Sequence, residues 1–579
     1  MISKILSTIK KDLVQDSAYF CLLMLKQMIR PVPGNPYLLF LLAAFLLASC
    51  AKRRKTGEDL TVFRYNEPGG ISSLDPAYAR NLSNIWGCNQ LYNGLVELDE
   101  HLKVKPAIAR SWEISSDGRA YTFHLRDDVH FHPHALFQDS LGRKVTAHDF
   151  VYSFKRIVDP GVASPGAWVF RAVDSARNVP CFHAKDDSTL VILLKKPFPP
   201  FLSILGMKYC SVVPREIIDH FGRDFRRNPI GTGPFYLKYW QEGIKLVLRK
   251  NKHYFQKDEH GDPLPYLDAV SVTFLMDKQS AFLEFIKGKL DFMSGIDPAY
   301  KDEVLTPYGH LREKYRDRFY LLTEPYLNTE YLGFLVDQKT GGRRSSPVRN
   351  EYIRKAINYG FDREKMITYL RNNIGIPGIY GFVPPGLPSF DSVAGYSYQP
   401  DSSRLFLSKA GFPNGEGLSA ITLSTTAEYL DLCKFIQHQL GELGMTIELQ
   451  VNPPATNAQL IAGSRLDFFR ASWIADYPDA ENYLSLFYSK NFSPSGPNYT
   501  HYQNPVFDKL YRRSQHELVD TSRYRIYREM DRVMLRDAPV VILYYDEVLR
   551  FVNKRITGLG INPVNLLDLR SVRVHPGGS

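Results

Sequence analysis

Cysteine is scarce in this chain: there are six in 579 residues, and no two stand in a C-x-x-C spacing. A structural zinc site built on such pairs is therefore disfavoured. The sequence also lacks a G-x-S-x-G elbow, an H-E-x-x-H helix and a G-x-x-x-x-G-K-[ST] loop, which removes the usual signatures of a serine hydrolase, a zinc peptidase and a nucleotide-binding loop. Gly231-Thr232-Gly233-Pro234 is as glycine-rich as a phosphate loop, but Pro234 removes an amide donor. The acidic pairs Asp127-Asp128 and Asp186-Asp187 sit in turn-like contexts, a poor setting for a glycosidase dyad. No repeat of 20–50 residues recurs, which disfavours solenoids and propellers. A long basic stripe is missing too, although the net charge is +11, from 72 basic and 61 acidic residues. Lys4, Lys10, Lys11, Lys26 and Arg30 against Asp12 and Asp16 give the first fifty residues +3, so the remainder carries a thinly spread +8. Nucleic acid is not the expected partner, because phosphate binding needs clustered cations.

The chain does have apolar material for large cores: 44% of its residues are hydrophobic and 23% charged. That composition predicts three or four lobes of about 150 residues each. With 35 Tyr and 35 Phe, aromatic residues reach 13%, enough both to fill cores and to line a concave binding surface.

One uncharged run stands out near the start, Tyr37 to Ala48, reading YLLFLLAAFLLA. Twelve residues are too few to span a bilayer core of about 30 Å, but they suit the apolar region of a secretion signal. The run ends in Leu47-Ala48-Ser49-Cys50, which resembles the bacterial lipobox. There a lipid is attached to the cysteine thiol before the preceding peptide is removed. The mature chain is thus expected to begin at Cys50, with 1–49 as signal and 50–59 as a basic tether near anionic headgroups. Thirty-six residues precede the apolar run, more than a signal needs, so Met24 or Met28 is the expected true start. Cys21 would then be discarded, which leaves Cys88, Cys181, Cys210 and Cys433 in a disulfide-permissive compartment with three possible full pairings.

Period-two alternation predicts strands over Ala120 to Arg126, Thr189 to Lys195 and Ile244 to Arg249. Helical patterns cover Ala147 to Val158 behind a Thr146 cap and Val348 to Arg371 around a break at Asp362. Two more run from Leu430 to Leu443 and from Ser522 to Arg536. The mixture predicts an α/β or α+β protein of several lobes.

Several segments, taken in order, resemble the extracytoplasmic solute-binding proteins of peptide-type ABC importers, the oligopeptide- and dipeptide-binding family. They are Ser73 to Pro76, Gln90 to Val96, Pro106 to Trp112, Tyr121 to Arg126, Val145 to Ile157 with Asp159-Pro160, Ile230 to Leu237, Val348 to Lys365 and Arg470 to Pro478. The resemblance spans roughly Leu60 to Leu569. It implies a class II periplasmic-binding-protein clamshell of two lobes with a third domain, built of mixed sheets flanked by helices. By that pattern 60–93, 214–327 and 546–579 form domain I, 94–213 is domain II inserted on the same lobe, and 328–545 is the second lobe. It further implies a non-catalytic monomer without cofactor or metal, anchored through lipid outside the cytoplasm, that hands peptide to a permease and its ATPase subunits.

A free peptide carries an ammonium, a carboxylate and unpaired main-chain groups, and strand addition satisfies the last without reading sequence. The segment Asp467 to Pro478 offers the other two charges. If it is extended, Arg470, Ser472, Ile474 and Asp476 share a face, with Arg470 and Asp476 roughly 20 Å apart at ~3.3 Å per residue, too far to neutralise each other. The resemblance places the ammonium on Asp476, the carboxylate on Arg470 and a side-chain pocket on Trp473. Arg371 falls where a further cation could serve longer peptides, and Tyr544 and Tyr545 stand beside the second crossover. Two departures bear on peptide length and side chains: Ser164-Pro165 is followed by Gly166, with Trp168 two positions on, and no histidine occurs between Tyr429 and Lys434.

The rival chemistry is a metal or haem cargo. His130, His132 and His134 would project to one side of a strand, though Pro133 interrupts it. A sensor or adhesin that keeps the fold without delivering cargo is the other alternative.

Overall fold

The computed structural model describes residues 60–174, 181–297, 300–337 and 346–575. The apolar run, Cys50 and the alternative starts Met24 and Met28 lie outside them. The architecture below is that of the compact unit 61–579.

Local signals translate directly into elements. The helix Ala147–Val158 begins at Thr146, where Asp149 Oδ2 accepts the Thr146 N–H at 2.8 Å in a capping box. The long helical stretch expected from Val348 splits into Glu351–Tyr359 and Arg363–Arg371. Gly360 ends the first, and Asp362 starts the second by accepting the Lys365 N–H at 3.0 Å. The predicted strands appear as Ala120–Leu125, Thr189–Leu193 and Lys245–Lys250.

An eleven-stranded mixed sheet runs through the unit. Its order is Ile447–Val451, Ile421–Thr425, Phe468–Ile474, Phe319–Phe334, Val540–Asn553, Phe292–Ser294, Val62–Asn66, Ala269–Thr273, Lys245–Lys250 and Phe235–Gln241, with Ile376–Pro377 added alongside Val540–Asn553. Two strands in the middle are far longer than the rest, Phe319–Phe334 with 16 residues and Val540–Asn553 with 14. They pair antiparallel at both ends, and the register shifts between Pro325 and Thr329 and again between Glu330 and Tyr331. On one side of that break both strands are sandwiched by the clusters around Phe382 and Tyr527 and around Ile357 and Leu423. On the other side they meet Phe285, Phe319 and Phe551. A separate antiparallel sheet, Ala109–Ile114, Ala120–Leu125, Thr189–Leu193 and Phe182–Asp186, packs into the largest core.

Cys88, Cys181, Cys210 and Cys433 are free, so none of the three possible pairings is formed. Cys88, Cys210 and Cys433 are buried, and burial pushes their thiols above the ordinary range.

One buried acid has a measurable consequence. Asp531, on the helix Asp520–Asp537, accepts the Phe382 N–H at 2.8 Å, and Gly381 is required beside it because a Cβ would run into the carboxyl. Burial outweighs that hydrogen bond and pushes Asp531 up to about 7. The folded chain then holds a proton that the unfolded chain releases near pH ~4. The resulting stabilisation is complete below about pH 4 and is lost as pH rises through about 7. Asp531→Asn should flatten the fall in urea-unfolding free energy between those two limits. An identical slope in the variant and the parent would show that Asp531 does not titrate there.

Candidate functional site

The strand Phe468–Ile474 lies against Phe319–Phe334 with Glu330 opposite Ser472 and Leu332 opposite Arg470. Glu330 and Arg470 are therefore diagonal neighbours on one face, close enough to interact across strands. They do so directly: Arg470 Nη2 donates to Glu330 Oε2 in an ion pair whose side chains are 11% and 3% exposed. The guanidinium also lies on the ring of Tyr429, 3.1 Å from its centroid. Burial pushes the Glu330 carboxyl upward against the pull of Arg470, and Asn328 Nδ2 donates to its other oxygen at 3.1 Å.

The expectation that Asp476 continues the face of Arg470, Ser472 and Ile474 needs amendment. The strand stops at Ile474, which is 51% exposed, and Asp476 lies beyond it. The chain turns there because the buried Asn482 gathers it: Asn482 Oδ1 accepts the Trp473 indole N–H at 2.8 Å and the Asp476 N–H at 3.2 Å. Trp473 is half-buried, with its polar edge committed to Asn482.

Three acids stand within this turn, and they differ in what satisfies them. Asp479 accepts from the Tyr527 hydroxyl at 2.8 Å and faces Arg523 at 3.5 Å. Glu481 accepts from the hydroxyls of Tyr477 and Tyr511. Asp476 remains open to solvent, and among the described residues no cation pairs with it. The protein around it nevertheless withholds enough water to push its carboxyl above the ordinary range, an effect that hydrogen bonding to Asn482 only partly offsets.

Asp476 sits at a seam. The neighbouring Tyr477 packs on Trp168, with ring centroids 6.0 Å apart, and Tyr209 is raised chiefly by its burial, with the charge of Asp476 adding to it. Gly166 is needed between these two aromatics because a Cβ there would enter the Tyr209 ring. At Gly166, the departure noted after Ser164-Pro165, the chain thus packs on Tyr209, and Trp168 reaches across to the Asp476 turn.

The other expected residues form a second cluster at the register break. Arg371 Nη2 donates to Asp546 Oδ1 at 2.8 Å, Nη1 to the Tyr544 hydroxyl at 2.9 Å and Nε to the Ile374 carbonyl at 3.0 Å. Tyr544 is buried beneath that guanidinium. Tyr545 is fully buried and donates its hydroxyl proton to the Gly381 carbonyl. The structure thus brings Arg371, Tyr544 and Asp546 together, and separately Trp473 and Asp476. Asn482, Glu330, Tyr209 and Asp546 were not anticipated. A cavity of about 370 Å³ lined by Glu67, Trp86, Phe282, Met293 and Tyr300 contains none of the anticipated residues.

The three histidines do not converge. His132 is buried, its Nδ1 accepts the Gly231 N–H at 3.2 Å, and its Nε2 therefore carries the proton donated to the Gly233 carbonyl at 3.0 Å. Both nitrogens are used, and burial pushes the ring down to about 4. His134 Nδ1 instead accepts the Leu136 N–H. Among the described residues no three His, Cys, Asp or Glu side chains are grouped to hold a metal. The Gly231-Thr232-Gly233 turn has its amides occupied as well: Gly233 N–H donates to the Leu91 carbonyl at 2.9 Å, and a Cβ at either glycine would strike Leu91. His132→Ala should destabilise the fold by about 1–3 kcal/mol, because it strands the buried Gly231 N–H and leaves the Gly233 carbonyl with Asn251 as its one remaining side-chain donor. EDTA should leave the melting temperature of the parent unchanged. A chelator-induced drop would restore the metal reading.

A family model described as bacterial extracellular solute-binding proteins, family 5, middle, matches residues 103–495. The glutathione-binding protein GsiB of Escherichia coli (strain K12) is 25% identical over 530 residues, covering 90% of this chain and 95% of that protein. The dipeptide-binding protein DppE of Bacillus subtilis (strain 168) is 25% identical over 542 residues, covering 90% and 92%. Among solved structures, the periplasmic binding protein DppA from Helicobacter pylori in complex with the peptide STSA superposes with a TM-score of 0.68 at 24% identity, over 89% of this chain and 98% of that one.

Proposed function

The chain belongs to the family 5 bacterial extracellular solute-binding proteins, the substrate-binding components of peptide-type ABC importers, and from that premise we propose that it captures peptides by their ammonium end at Asp476. Its fold is that of the periplasmic binding proteins, a multi-lobed α/β architecture. The observation that carries the proposal is the Asp476 carboxylate, solvent-open at the Trp168–Tyr477 seam, raised by partial desolvation and without a protein cation among the described residues.

Glutathione, dipeptides and STSA, the cargoes named for the three relatives, share amide groups and a primary ammonium. A carboxylate held in a low-water setting suits such an ammonium, because a charge-assisted hydrogen bond there is stronger than in bulk water. In this reading Ser472 and the exposed Ile474, which share a face of Phe468–Ile474, contact the ligand, and Trp473 on the other face lines a side-chain pocket. The lobes proposed from sequence meet at 327/328 and 545/546, and the register break between Pro325 and Tyr331 supports a hinge at that place. Closure about it would exclude water from the cargo.

The same reading takes Cys50 as the lipidated first residue of the mature chain, outside the cytoplasm, with delivery to a permease. Among the described residues no helix is long and apolar enough to cross a membrane. Loss of the cognate permease should abolish uptake of a bound peptide. Uptake that persists without it would favour a sensor or adhesin.

Acetylating the N-terminus of a bound peptide should weaken binding about a hundredfold or more by calorimetry, since one partner of a desolvated charge pair is lost. Asp476→Asn should weaken the free peptide similarly while the acetylated one changes little. Equal affinity for free and acetylated peptides would defeat the assignment of Asp476. The raised carboxyl has to ionise to accept the ammonium, so affinity should fall as pH drops through a value above the ordinary carboxylate range of about 4. A flat profile from pH 7 to 4 would contradict this.

A further inference from the structure

The residues expected to receive the peptide carboxylate are already occupied. Arg470 Nη2 is paired with Glu330 and its guanidinium lies on the Tyr429 ring, while its Nε is buried without a hydrogen-bond partner among the described residues. Arg371 spends all three nitrogens, on Asp546, the Tyr544 hydroxyl and the Ile374 carbonyl. A ligand carboxylate could recruit either guanidinium only by displacing a protein carboxylate that is itself largely desolvated, and leaving that group unpaired is costly.

The charge around these pairs leans the same way. Glu547 adjoins Asp546, and its Oε2 accepts the Gly375 N–H at 2.7 Å with no cation paired to it among the described residues. Glu330, Asp546 and Glu547 thus surround Arg371 and Arg470. Three acids against two bases leave a surplus of negative charge in this cluster, which repels an incoming carboxylate and attracts a cation.

We propose that this protein recognises its cargo through the ammonium alone and makes no use of a terminal carboxylate, so that its ligand class includes peptides with blocked C-termini and compounds bearing an amine without an acid. The inference rests on the assignment of Asp476 in the preceding section. Among the described residues the exposed Arg80, near the same seam, is a rival for a carboxylate.

The test uses the whole mature protein, immobilised, with a random library of tripeptides to hexapeptides prepared in three forms: free, N-acetylated and C-amidated. Retained peptides are counted by mass spectrometry. Free and amidated pools should be retained within about threefold of each other, and the acetylated pool should fall at least about a hundredfold below both. Equal loss of the amidated and acetylated pools would overturn this inference while leaving Asp476 in place. Retention of all three pools alike would instead overturn the Asp476 assignment itself. Should amidation cost more than about tenfold in the parent and nothing in Arg80→Ala, the carboxylate is read by Arg80 and the inference fails. As a positive arm, Glu330→Gln releases Arg470 and should create a preference of about tenfold for free over amidated peptides. An unaltered circular dichroism spectrum and melting temperature would show that this variant folds, and the comparison within the parent stands without it.

Discussion

The antiparallel pairing of Phe319–Phe334 with Val540–Asn553 is the constraint on which the rest of the molecule hangs. These two strands carry the sheet from the helix-flanked region around Ile357 and Leu423 to the region around Phe285 and Phe551. Shorter strands build outward from them on either side. Where their register breaks, the backbone stops matching residue for residue, and that stretch holds Glu330, Tyr544 and Tyr545, with Asp546 at its margin. Position in the sheet thus dictates which polar groups are brought together. The charged pairs of Arg470 and Arg371 lie at or beside the place where the ladder of backbone bonds is least regular.

Much of this was legible in the sequence where a signal is local. The helix from Ala147 was readable because a capping box acts over three residues, and the break at Asp362 because one side chain caps one amide. Strand period revealed Ala120–Leu125 and Thr189–Leu193, whereas Phe468–Ile474 was an extended segment only by supposition. The partners were not legible. Glu330 is 140 residues from Arg470 and Gly233 is 101 from His132, and no window of sequence encodes those distances. The extended face drawn from Arg470 to Asp476 failed beyond Ile474 for a related reason: Asn482 turns the chain, and a lone asparagine six positions on carries no periodic signature.

The histidine triplet teaches the converse. Three imidazoles at a spacing of two look like a ligand set in one dimension, yet the middle ring clasps a glycine turn through both nitrogens. Spacing proposes chemistry, and only the occupancy of each donor and acceptor decides it. The same accounting separates Asp476 from Asp479 and Glu481, its neighbours in a single turn, since each of the latter has protein partners for its oxygens.

The free thiols carry an implication for how the molecule matures. Cys88, Cys210 and Cys433 are shut inside packed cores, and their protonated state is favoured there. Assembly of the lobes then depends on no oxidant. Such a chain can reach its final form across a range of redox conditions. Its interior sulfurs meet a peroxide or an alkylating reagent only when the surrounding core has come apart.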